Sequence, residues 1–170
     1  MRVYLPATTT VLRRLLDDGR LEGPLTVFAV TPQLRGHYEL SDGLRDDEEL
    51  EYAALLAAAR ASLRLIDVDP AAARRRVVLA ADVPDSSLTP IEDPAADPGA
   101  ARIAVDVSLA DVASAHLDVA EAEEDVSAAV AVVLEADLGS DEAQFTVDQA
   151  EGHELAWYAT QEIGPALELL

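Results

Sequence analysis

The chain has 170 residues, half of them apolar, with 12 basic and 33 acidic side chains and a formal charge of -21. That length can bury a sizeable core, and the apolar content argues against general disorder despite the charge. The absence of cysteine excludes a disulfide scaffold, a thiol nucleophile and cysteine-based zinc or iron–sulfur sites.

The first residues, Met1-Arg2-Val3-Tyr4-Leu5-Pro6, run straight into strand-like alternation. No basic region precedes a long apolar core, so this is read as a strand and not as a secretory signal. Thr8 or Thr9 can cap a short helix whose Val11, Leu12, Leu15 and Leu16 form one apolar stripe, and Gly19 is placed to stop it. Residues 25–30 form a second strand, rich in β-branched and aromatic side chains. Thr31-Pro32 has the form of a helix start, with His37-Tyr38 expected in a surface loop beyond it.

Residues 46–66 carry the clearest helical pattern. The acidic run Asp46-Asp47-Glu48-Glu49 suits the positive end of the helix dipole. Tyr52, Leu55, Leu56, Ala59, Leu63 and Ile66 recur at three and four and predict the buried face. Residues 75–83 follow as an interior strand, preceded by Arg74-Arg75-Arg76, which reads as a solubilising gatekeeper or as a partner for the acidic half. Residues 84–99, with four prolines, are expected to be the loop joining two halves.

The second half restarts the order, with strands at 102–107 and 113–117 and Ser108 capping the turn between them. Asp118 is placed to cap a helix reaching residue 136. Residues 138–152 look like an acidic loop with a short strand at 145–147, before a strand at 154–158 and a terminal helix at 161–170. The expectation is therefore an α/β fold over residues 1–170, with helices on a mixed sheet of about six strands. Two similar β-α-β-α-β halves, 1–83 and 100–170, would form a pseudo-repeat.

Charge divides unevenly between these halves. Residues 1–85 hold 11 arginines and 14 acids, whereas residues 86–170 hold Arg102 alone against 19 acids. Nucleic-acid binding is disfavoured, because neutralising a phosphate backbone needs clustered basic residues. No segment approaches the roughly 18 consecutive apolar residues of a membrane span, so a cytoplasmic protein is expected. The acidic half reads as a solvated face, or as a docking surface or nucleic-acid mimic for a basic partner.

Catalytic motifs are missing. The eight glycines make neither a dinucleotide fingerprint nor a phosphate loop, and no lysine is present to reach a phosphate. No serine sits in a nucleophile elbow. His116 and Asp118 share one face of a strand, but a metal site needs three or four converging ligands, which leaves capping or surface roles. No cofactor is implied. His153, Trp157 and Tyr158 could line a small pocket, with Trp157 for stacking, or Trp157 could be a structural anchor.

Six stretches carry a resemblance: Met1-Arg-Val-Tyr-Leu-Pro-Ala-Thr8, Val27-Phe-Ala-Val-Thr-Pro32, Glu49-Leu-Glu-Tyr-Ala53 with Ala61-Ser-Leu-Arg-Leu65, Val78-Leu-Ala-Ala-Asp-Val83 and Glu154-Leu-Ala-Trp-Tyr158. On these the chain resembles a family of small acidic actinobacterial proteins of unknown function. The resemblance implies a bacterial cytosolic setting and brings no activity with it. The residues themselves favour a non-enzymatic binding or adaptor protein that meets a protein partner through a sheet edge or the acidic half, with Glu121, Glu123 and Glu124 as its patch. The alternative is a small-molecule site or enzyme near His153, Trp157 and Tyr158. Self-association through a sheet edge is compatible with either.

Overall fold

The computed structural model describes residues 1–41 and 46–170. In chain order the elements are β1 (Arg2–Ala7), α1 (Thr9–Asp18), β2 (Arg20–Leu21), β3 (Leu25–Phe28), α2 (Pro32–Ser41), α3 (Asp47–Asp67), β4 (Val77–Asp82), β5 (Leu88–Pro90), β6 (Ala100–Ile103), β7 (Val107–Ser108), β8 (Val112–Leu117), α4 (Glu123–Asp137), α5 (Asp141–Glu151), β9 (Ala156–Ala159) and α6 (Ile163–Glu168). Seven strands form one sheet in the order β5-β6-β3-β1-β4-β8-β9, and β2 pairs with β7 in a second, two-stranded sheet.

The class is α/β, as expected, but every strand pairing is antiparallel and the sheet is not mixed. A single helical crossover joins parallel strands, so each plain strand–helix–strand reading implied parallel pairing. Two elements that sequence reading missed change the sense. An extended segment, β2, is inserted between α1 and β3. The region expected to be an acidic loop with a strand at 145–147 is instead the helix α5, which returns the chain to the end of the sheet that α4 left. Ser140 caps α5 by accepting from the Ala143 amide at 3.2 Å.

Residues 84–99 are likewise not only a loop, since β5 lies within them and pairs with β6. The strand order does not confirm the expected repeat of two halves. Strands of the second half flank those of the first on both sides, with β6 against β3 and β8 against β4.

Helix ends follow local chemistry closely. Thr8 caps α1 through the Val11 amide, and Gly19 ends it in the left-handed region at φ 75°. Thr31 Oγ1 accepts from the Leu34 amide at 3.0 Å, and α2 extends through His37 and Tyr38, which therefore lie on a helix and not in a loop. Asp46 caps α3 through the Glu49 amide at 2.9 Å. Ser108 and Asp111 form the expected capping arrangement.

One face of the large sheet is covered by α1 and α6, whose Leu12, Leu15, Ile163 and Leu167 pack on Leu5, Leu79 and Ala115. On the other face α3 lies over Tyr4, Phe28, Val78 and Ala80. The α4–α5 hairpin packs against Leu63 and Ile66 near the C-terminal end of α3. The buried face of α3 is Leu50, Ala54, Ala58, Ala59, Ser62, Leu63 and Ile66. The helix is thus rotated from the predicted stripe, and Tyr52 and Leu56 are 55% and 42% exposed. Alanines let the helix axis approach the sheet closely, and the larger side chains overhang its flank. Among the described residues, no helix is long and apolar enough to cross a membrane.

Candidate functional site

The register of the sheet sets Val78, His116 and Trp157 in one cross-strand row, with Tyr4, Ala80 and Ser114 in the next. Side chains alternate along a strand, so these six point to the face covered by α3. The helix covers only part of that face. Between its N-terminal half and the β8–β9 end of the sheet lies a hollow of about 260 Å³, lined by Arg2, Tyr4, Glu48, Glu51, Tyr52, Ser114, His116 and Trp157 among others. A second hollow of about 390 Å³ shares Tyr52 and Leu55 with it and continues to Arg76, Glu151, His153 and Glu154. Together they form a groove along one side of α3.

Among the described residues, the charges lining the upper hollow do not cancel. Arg2 is held by a two-pronged contact to Asp82, with Nε to Oδ1 at 2.9 Å and Nη2 to Oδ2 at 3.1 Å. This hydrogen bonding pulls the Asp82 carboxyl below its usual range and raises the Arg2 guanidinium. Glu48 and Glu51 form no ion pair among the described residues, so the rim carries excess negative charge. Burial, and then the nearby Glu51, raise the Tyr4 phenol. Trp157 is 61% exposed and offers an open aromatic surface beside these carboxylates.

Ser114 Oγ lies 3.2 Å from His116 Nε2. Among the described residues no carboxylate bonds the other imidazole nitrogen, so the orienting acid of a nucleophilic triad is missing there. Burial, followed by the charge of Arg2, lowers the His116 pKa from its ordinary value of 6.5. The folded state therefore binds this proton less readily than the unfolded chain. Stability is unaffected above the ordinary histidine value and falls as the pH drops below it. Urea unfolding should show a lower midpoint near pH 5.5 than near pH 7, and His116→Gln should shrink that difference.

The residues singled out from sequence are only partly brought together. Trp157 lines the upper hollow and His153 the lower. Tyr158, one residue on, faces the opposite side and packs against the α1–α6 core. Glu121, Glu123 and Glu124 are exposed at the start of α4, and Glu123 pairs with Arg75 at 2.9 Å. A contact of 2.7 Å between His153 Nε2 and Asp125 Oδ2 joins that acidic turn to the lower end of the groove.

Asp118 neither caps α4 nor stands free for a metal. Its Oδ2 accepts from the Arg76 amide and Nε, both at 2.8 Å, and its Oδ1 accepts from Arg76 Nη2 at 2.7 Å. Arg76 also donates to the His153 carbonyl at 2.9 Å and is 1% exposed, so it is an internal clamp and not a gatekeeper. Among the described residues no group of three or more potential ligands is arranged to hold a metal.

Sequence reading missed Arg2, Tyr4, Glu48, Glu51, Tyr52, Ser114 and His116 as a constellation. The spacings Arg2-x-Tyr4 and Ser114-x-His116 place each pair on one strand face, but only the sheet order makes those faces adjacent. No curated protein and no solved structure matches the chain. The profile of a family described as a family of unknown function, DUF6912, matches residues 1–167, and the chain belongs to that family.

Proposed function

We propose that this is a non-enzymatic binding protein that docks a basic protein segment in the groove between α3 and β9. One observation carries the reading: exposed Tyr52 and Trp157 share a hollow with Glu48 and Glu51, while the one arginine among its described lining residues is paired with Asp82. An arginine or lysine side chain meets both needs there, since its charge pairs with carboxylate and its cationic head stacks on an aromatic face. The net charge of -21 would speed the encounter with such a partner. The acidic start of α4, with Glu121, Glu123 and Glu124, extends the same potential beyond His153. The family resemblance adds an actinobacterial cytosol as the setting.

Trp157 is the only tryptophan, so its fluorescence reports on the groove directly. Hexa-arginine should shift and saturate that signal, and hexa-glutamate should not. Replacing Glu48 and Glu51 together by Gln should weaken hexa-arginine binding about tenfold, which is about 1.4 kcal/mol. The pair Glu135→Gln and Glu142→Gln removes the same charge from α4 and α5 and should change affinity less than twofold. Equal weakening by both pairs would reduce the interaction to bulk charge and sink the reading.

A small organic cation is the second reading, supported by the modest volume of the upper hollow. A thermal-shift panel of amines and guanidines tests it, because a ligand of the native state raises the melting temperature.

A further inference from the structure

The two edges of the large sheet are built differently. At one end, β5 has three residues and finishes on Pro90, which lacks an amide hydrogen, with Pro84 before it and Pro94 after. Short length and proline are standard protection against an incoming strand. At the other end, β9 is Ala156-Trp157-Tyr158-Ala159, with neither proline nor charge.

The direction of the free backbone groups on β9 follows from one hydrogen bond. The Ala159 amide donates to Glu162 Oε2 at 3.0 Å, so it points away from β8. Backbone groups alternate sides along an antiparallel strand. The N–H and C=O of Trp157 therefore point outward as well, while those of Ala156 and Tyr158 serve the pairing with Leu117 and Ala115. Glu162 fills, at Ala159, the place that a neighbouring strand's carbonyl would take. The Trp157 amide and carbonyl make no such contact among the described residues.

From this we infer that the partner segment binds as an added, extended strand along the outer edge of β9, with alternate basic side chains reaching into the groove. This inference rests on the basic-partner reading above. Side chains of adjacent strands lie about 5 Å apart, so a residue opposite Trp157 on the α3 face enters the mouth of the upper hollow. One opposite Leu155 or beyond approaches Glu154 in the lower hollow. Main-chain bonds then supply affinity, and the acidic groove supplies the choice of side chain. A second copy of this chain is a poor occupant, because each copy carries a net charge of -21 over the whole chain.

The test uses the full chain, Trp157 fluorescence and a seven-residue peptide alternating Arg and Thr. Three further peptides carry backbone N-methyl groups on the arginines, on the threonines, or on both. Methylating both sets removes every strand-forming amide and should weaken binding at least tenfold. Methylating one set leaves the other to pair, so at least one of these two peptides should bind within about twofold of the parent. If the fully methylated peptide binds like the parent, the strand inference fails while the basic-groove reading stands. Equal loss with either single set also overturns it, since an edge uses only alternate residues. No binding by the parent peptide overturns both readings. A concentration-dependent dimer that the peptide dissolves would assign the edge to a second copy and overturn the inference.

Discussion

Asp118→Ala is expected to destabilise the protein by about 3–5 kcal/mol, the usual cost of leaving one member of a buried ion pair alone. The carboxylate accepts three hydrogen bonds from Arg76, one of them from its backbone amide. Removing it strands a guanidinium that is 1% exposed and retains the His153 carbonyl as an acceptor. Arg76→Met should cost a similar amount, because the buried carboxylate then keeps a single donor from that residue, the amide. The double replacement Arg76→Met with Asp118→Leu removes both charges while keeping apolar volume. It should regain much of the loss, since exchanging a buried pair for well-packed apolar groups is often neutral or better. Urea unfolding of the three variants measures this directly. A double variant no more stable than either single one would mean that the clamp's hydrogen bonds, and not charge burial, hold β4, β8 and the end of α5 together.

Ser62→Ala should cost about 2–4 kcal/mol, well beyond an ordinary serine change. Ser62 is fully buried, donates to the Ala7 carbonyl at 2.6 Å and accepts from the Val77 amide at 3.0 Å. Ala7 and Val77 are partners at the end of the β1–β4 ladder, so the hydroxyl from α3 bridges two strands at the centre of the sheet. Alanine leaves a buried amide and a buried carbonyl unsatisfied, at about 1–3 kcal/mol each. Ser140→Ala, which removes only the cap of α5, provides the internal comparison at about 1 kcal/mol. Equal losses in the two variants would show that the strands close directly when the hydroxyl is gone.

These two sites also show why the groove was hard to read from sequence. Arg76 and Asp118 are 42 positions apart, and Ser62 stands 55 positions from Ala7. In a chain with 33 acids, no single Asp is marked as the buried one. Tyr52 illustrates the same difficulty in a helix. Its spacing fits a buried stripe, yet the alanines on the neighbouring stripe permit closer contact with the sheet, so Tyr52 is left over the groove. Trp157 and Tyr158 are neighbours in sequence, but strand alternation sends them to opposite faces.

Local features were legible in the sequence: the caps Thr8 and Ser108, the stop at Gly19, the long α3, and strands β1, β3, β4, β8 and β9. Each depends on side chains within a few positions of one another, where hydrogen bonds to the backbone and hydrophobic period act without reference to the rest of the chain. Composition likewise determined the acidity and the lack of thiol chemistry. The antiparallel sense of the sheet, the pairing of Arg76 with Asp118, and the meeting of Arg2, Glu51, His116 and Trp157 around one hollow come from long-range packing. Those outcomes turn on strand order and on which face of α3 lies down. Both are settled by packing between residues distant along the chain, and local pattern does not encode that packing.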